Sequence, residues 1–216
     1  MRKTGILLLL LFHLLASGCS AQLASDAQKC EKNVTNNPDL ALEGCTALIE
    51  SGRLSEEDVF KVLIIRGVAY RNKGNYYQAI QDFDKAIRLK PDVAEAFNNR
   101  GVTYDLKGDY ERAIQDYNQV IRLRPDYAAA FNNRGLVYHE NGEYDRAIQD
   151  FDQAIRLKPG YAEAFESRGS AYLARGDYDR AIQDYGQAIK LEPNYAGDFS
   201  DRAFAYDCKK DYRRAL

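Results

Sequence analysis

Apolar residues recur along most of this chain at helical spacing, in two stripes per 34 residues. Between Ala94 and Tyr127, Phe97, Gly101 and Tyr104 fall on one helical face. After a break at Gly108-Asp109, Tyr110, Ala113, Ile114, Tyr117, Val120 and Ile121 form a second stripe. The glycine accepts the left-handed conformation that ends a helix, and the aspartate suits the start of the next. Pro125 lacks the N–H that a continuing helix would need. The spacing predicts a pair of short amphipathic helices that folds back on itself. The same pattern returns in register at Phe60, Ala128, Ala162 and Ala196.

A fixed period of this size, with each unit a helical hairpin, predicts a solenoid in which neighbours bury each other's apolar faces. The expected units are 60–93, 94–127, 128–161 and 162–195, followed by a partial unit over 196–216. Each full unit reads aromatic or Leu, then Arg-Gly, Tyr, Gly, Tyr, Ala-Ile-Gln-Asp, aromatic, Ile and Pro. In that order and spacing the chain resembles the tetratricopeptide repeat (TPR) family from Phe60 to Leu216. The resemblance implies an all-α fold, a right-handed superhelical solenoid of antiparallel helix pairs. It further implies that the outward face of the first helices lines a concave groove, where the family holds an extended peptide or a partner helix.

Comparison of the repeats with one another shows which positions the architecture dictates. Gly67, Gly101, Gly135 and Gly169 sit on first helices, where glycine costs about 1 kcal/mol relative to alanine, so close packing must compensate. The expected partners are Ala79, Ala113, Ala147 and Ala181 on the second helices. Arg66, Arg100, Arg134 and Arg168 precede those glycines, and Asp82, Asp116, Asp150 and Asp184 follow them on the second helices. They are expected to form ion pairs along the stack, the alternative being independent solvated side chains. An Arg–Asp couple in every unit is an architectural register rather than a repeated active site.

The face opposite the first-helix core stripe is where the units differ. Along the chain it presents Ile64, Ile65, Val68 and Arg71, then Asn98, Asn99, Val102 and Asp105, then Asn132, Asn133, Leu136 and His139, then Glu166 and Ser170. Val68, Val102 and Leu136 make an apolar file beside asparagines whose amides both donate and accept, a surface suited to an extended segment with hydrophobic anchors. Asparagine is a mediocre helix former, so its recurrence asks for a reason, either ligand contact or tandem duplication. Glu95, Asp105, Glu140, Glu163 and Glu166 make the surroundings acidic and favour a partner with basic character. Some members of the family grip a terminal carboxylate with Lys and Asn on these helices. Here Ile64, Asn98, Asn132 and Glu166 occupy the first of those positions and Val68, Val102, Leu136 and Ser170 the second, which argues against chaperone-tail binding.

The chain starts with the basic pair Arg2 and Lys3, followed by the apolar run Ile6 to Ala16, too short to span a membrane. This reads as a signal peptide over residues 1–18. Leu15-Ala16-Ser17-Gly18 resembles a bacterial lipobox, which makes Cys19 the first mature residue and the site of lipidation. Ordinary cleavage after Ala21 is the alternative. Either reading exports the chain to the periplasm or envelope, with membrane attachment only through the lipid anchor. The net charge of -2 becomes -4 once residues 1–18 are removed, which disfavours nonspecific nucleic-acid binding.

In an exported chain, Cys30 and Cys45 become disulfide candidates, with two buried free thiols as the alternative. Residues 22–55 look like a degenerate hairpin whose second helix places Cys45 where later units have a core aromatic. At the other end Ala203 replaces the packing glycine and Lys210 the loop glycine, and Leu216 is expected one turn into a second helix. That open end would be completed by another molecule in a homodimer, or belong to a truncated product; Cys208 would then be a cross-link or an inert thiol. The sequence has no phosphate-binding glycine loop, metal-ligand cluster or nucleophile with its own histidine, so neither catalysis nor a cofactor is expected. The reading is a non-enzymatic interaction scaffold of the cell envelope that binds a protein or peptide. The alternative is an adaptor presenting substrates to an envelope protease or other hydrolase.

Overall fold

The computed structural model describes residues 21–194 and 196–215, without the side chains of 196, 198 and 211–215. The expected leader over residues 1–18 and the candidate lipid-bearing Cys19 lie outside the described residues. Eleven α-helices and no strand stand among the described residues, in two compact units, 1–109 and 110–216. No helix among them is long and apolar enough to cross a membrane.

The first unit opens with the degenerate hairpin, α1 (Ala21–Lys32) and α2 (Pro38–Glu50). Asn37 caps α2, its side chain accepting from the Leu40 amide at 3.2 Å, with Pro38 in the first turn where a missing N–H costs nothing. Gly52 at φ 63° ends it. Cys30 and Cys45 form a disulfide between the two helices, buried with Leu23, Ala27, Leu48 and Val62. Gly44 makes the close crossing possible: a Cβ there would stand 2.5 Å from the Asp26 carbonyl oxygen and 2.7 Å from the Cys30 nitrogen. The turn between the helices is fastened to the end of the third helix, because Asn72 donates to the Val34 carbonyl at 2.9 Å and Lys73 pairs with Asp39.

Glu31, at the end of α1, is 7% exposed, and neither carboxylate oxygen has a hydrogen-bond partner among the described residues. Burial pushes its carboxyl up to about 7, against a smaller opposing pull from Lys32. A carboxyl raised on folding binds its proton more tightly in the native state, so the contribution of Glu31 to stability is fully present below about 4.5 and is lost as pH rises through about 7. The loss is at most about 1.4 kcal/mol per pH unit. Urea denaturation of wild type and Glu31→Gln across that range checks it; the wild-type slope is expected to be lost in the variant.

Helix α3 (Glu56–Asn72) starts at Ser55, which accepts from the Asp58 amide at 3.1 Å, and Glu56, Glu57 and Asp58 lie at its positive end. It folds back onto α4 (Tyr76–Leu89) through Gly74 at φ 76°, with the Asn75 amide bonded to the Tyr70 carbonyl. Helix α5 (Ala94–Leu106) packs on α4 and completes the unit around a fully buried Phe83.

The second unit holds α6 (Tyr110–Leu123), α7 (Ala128–Glu140), α8 (Tyr144–Leu157), α9 (Ala162–Ala174), α10 (Tyr178–Leu191) and α11 (Ala196–Ala215). Consecutive helices pack in pairs. Phe151 and Tyr185 lie at the centre of its main core, with Tyr138, Tyr172 and Ala205.

One expectation is extended and one corrected. Firstly, three of the packing glycines have an aromatic ring of the second helix as their nearest neighbour. A Cβ at Gly67 would meet the Phe83 ring at 2.6 Å, at Gly135 the Phe151 ring at 2.7 Å, and at Gly169 the Tyr185 ring at 3.1 Å. The aromatic, long enough to cross between helices, takes the space each of these glycines leaves, and Ala79, Ala147 and Ala181 are fully buried in the same clusters. Gly101 and Ala113 are buried as well. Secondly, no turn divides the last unit among its described residues: α11 runs unbroken to Ala215, because Lys210 stands where the other units have a glycine at positive φ.

Three of the arginines reach further than their expected partners. Arg66, Arg134 and Arg168 bond both oxygens of Asp82, Asp150 and Asp184 at 2.6 to 2.8 Å. The remaining guanidinium nitrogen crosses to the preceding second helix, from Arg66 to Thr46, Arg100 to Asp84, Arg134 to Asn118 and Arg168 to Asp152. One planar group thus ties three helices, which an ammonium could not do with the same geometry.

Candidate functional site

In the first unit, Ile64, Ile65 and Val68 project from successive turns of α3 and come together around a cavity of about 230 Å³. Phe60 and Lys61 continue its wall along α3, Glu95 enters from α5, and Val34 closes it from the hairpin turn. The floor is aliphatic because this stretch of α3 is apolar on both faces: Leu63 and Val62 turn into the core while Ile65 and Val68 stay half-buried outside it. Val34 was not among the candidate residues. It sits in a turn with no counterpart in the other repeats, so no periodicity marks it.

The charges at this cavity are unequal in their partners. Lys61 is matched by Glu57 at 3.3 Å and Asp58 at 3.6 Å. Glu95 is exposed at the edge of the cavity and has no ion-pair partner among the described residues, and the loss of some hydration beside its neighbours raises its carboxyl above the ordinary range.

Arg71 lies one turn further along α3 and donates to the carbonyl and side-chain oxygens of Asn99 on α5, at 3.4 and 3.2 Å. The Asn99 amide nitrogen bonds back to the Glu95 carbonyl at 3.0 Å. Both ends of this asparagine are therefore engaged within the chain. Asn98, Val102 and Asp105 are half-buried along the same helix.

In the second unit the predicted residues have mixed surroundings. Asn132 is 4% exposed, and its side-chain oxygen has no hydrogen-bond partner among the described residues. Asn133 is half-buried and Leu136 is exposed. The His139 ring packs against Tyr144 with centroids 5.4 Å apart. Ser170 shares a hydrogen bond with the Tyr185 hydroxyl at 3.1 Å, so it serves the contact between α9 and α10. Glu166 is half-buried on α9. Among the described residues no three His, Cys, Asp or Glu side chains converge to hold a metal.

Two family descriptions match this chain. "TPR repeat" matches residues 67–108 and 106–142, and "Tetratricopeptide repeat" matches 128–161 and 162–195. No curated protein sequence matches it. Among solved structures, a crystal structure of MamA is 28% identical with a TM-score of 0.65, covering 76% of this chain and 93% of that one. A tetratricopeptide repeat protein from Parabacteroides merdae reaches a TM-score of 0.75 at 22% identity, covering 91% and 77%. The first TPR of Spaghetti (RPAP3), bound to the HSP90 peptide SRMEEVD, is 25% identical with a TM-score of 0.53, covering 54% and 93%.

Proposed function

Because the chain belongs to the tetratricopeptide repeat family, we propose that it is an interaction scaffold that binds an extended peptide segment or partner helix along α3 and α5. The observation that carries this reading is the aliphatic cavity between Val34, Ile64, Ile65 and Val68, a partly open apolar site in a water-facing surface. A similar TPR domain holds a peptide in its solved complex. The reading places the protein outside the cytoplasm, in the cell envelope. It draws support from the basic-apolar leader and from a disulfide of a kind that persists in oxidising compartments. Catalysis, where the bound partner undergoes any, belongs to another protein.

A photo-crosslinking residue at Val68 of the exported chain tests the surface. A discrete set of protein adducts is expected, lost on Val34→Asp and missing when the crosslinker is moved to Tyr77, which is 69% exposed on α4. Identical adducts from both positions, or adducts indifferent to Val34→Asp, would reject α3 as the binding face.

A further inference from the structure

We infer that the α3 cavity selects a large apolar side chain with a cationic neighbour, so that its ligand is an extended hydrophobic-basic peptide segment. The inference rests on the reading of α3 as the binding face. A volume of about 230 Å³ admits one large side chain and falls short of pockets for drug-sized ligands, which begin near roughly 300 Å³. Its floor of Ile64, Ile65 and Val68, with Phe60 behind and Val34 at the side, offers no hydrogen-bonding side chain to a polar anchor. An alcohol or amide buried there would be left unpaired.

Selection for charge comes from the mouth. Lys61 already lies between two carboxylates, and one of them, Glu57, also pairs with Lys90. The negative charge of Glu95 stands opposite without such a match among the described residues. Exposed at the cavity edge and not neutralised within the chain, that carboxylate attracts a cation carried beside the anchor. A ligand carboxylate next to the anchor would meet like charge instead.

The test is a methyl-detected NMR titration of the oxidised full chain with three end-blocked heptapeptides. The probe is Ser-Gly-Leu-Lys-Gly-Ser-Gly, with one twin carrying Glu for Lys and another carrying Ala for Leu. The Leu-Lys peptide is expected to shift the methyls of Val34, Ile64, Ile65 and Val68, with about ten-fold weaker binding for the Leu-Glu twin and none detectable for the Ala twin. Glu95→Gln is expected to keep the shifts and bring the Lys-to-Glu ratio near one. Equal affinities of the two leucine peptides for the wild type, or a ratio unchanged by Glu95→Gln, would overturn the charge assignment and leave the apolar site standing. If no peptide moves these methyls, the binding face itself falls, and this inference with it.

Discussion

Arg134→Ala is expected to destabilise the second unit by about 3–5 kcal/mol, far more than removal of a surface charge. Its partner Asp150 is 6% exposed and accepts two bonds from the guanidinium, at 2.7 and 2.6 Å. Truncation would leave that carboxylate buried with neither partner nor water. It would also cut the link to Asn118 on α6, and remove the cation from between the rings of Phe131 and Tyr138, 5.7 and 5.8 Å from its centre. Burial works against the charge on Arg134, yet the hydrogen bond and attraction of Asp150 outweigh it and hold its pKa above the ordinary arginine value.

The pair nevertheless adds less net stability than its geometry suggests. At the equivalent Asp184, burial prevails over the two bonds from Arg168 and holds the carboxyl above its ordinary value. Replacement of both partners by apolar residues, Arg134→Met with Asp150→Leu, is therefore expected to recover most of the loss. Arg134→Lys is expected to recover little, because one ammonium cannot reach both Asp150 oxygens and Asn118 together. Urea denaturation of wild type, Arg134→Met, Asp150→Leu and the double variant, combined as a double-mutant cycle, reads the coupling directly. An Arg134→Ala loss under about 1 kcal/mol would show that the ladder is a solvated ornament of the helix pairs.

The helices and turns were legible because the repeat supplies several concordant signals at each boundary. Gly74, Gly108, Gly142 and Gly176 all adopt the positive φ that their place in the period predicts. The continuation of α11 was equally foreshadowed by Lys210, though the pattern Asp211-Tyr212 invited a turn. Depth was harder to read. Periodicity tells which face a glycine occupies but not which residue of the opposite helix comes nearest, so Phe83, Phe151 and Tyr185 do not stand out as its neighbours. The second partner of each arginine needed knowledge of how one unit stacks on the last. The spacing does hold a signal, since Asp84, Asn118 and Asp152 each lie sixteen residues before their arginine.

The site was legible in its apolar part. Ile64, Ile65 and Val68 share a face by helical spacing alone, and the structure gathers them. Polar residues on the same face divided according to contacts that spacing does not encode. Asn99 is engaged by Arg71 from the neighbouring first helix. Ser170 is drawn inward by the Tyr185 hydroxyl, a pairing that Tyr117 does not repeat because Val102 stands at the equivalent position. Val34 and Glu31 belong to the degenerate hairpin, where no repeat exists to compare them with, so neither the cavity wall nor the orphan carboxylate could be foreseen.

Loss of the Cys30–Cys45 disulfide is expected to cost the first unit about 3 kcal/mol in the chain-entropy account, which fits its loop of 15 residues. The hairpin has little to set against that loss. Cys45 occupies the place of a core aromatic, Gly44 presents bare backbone to α1, and Glu31 is buried without a partner. The reduced chain keeps the small cluster of Leu23, Ala27, Leu48 and Val62, the exposed Lys29–Glu43 ion pair between the two helices, and the Asn72 and Lys73 contacts to the turn. Because Val34 is carried on that turn, the cavity should loosen with the hairpin. Hydrogen exchange on Cys30→Ser/Cys45→Ser is expected to run about 100-fold faster than wild type at α1 and α2 amides, with those of α8 unchanged. The variant should also bind the Leu-Lys peptide more weakly while the Val34 methyl loses its response. Equal protection in both proteins would mean that packing alone holds the hairpin. Faster exchange with undiminished peptide affinity would mean that α3 and α5 form the cavity without Val34.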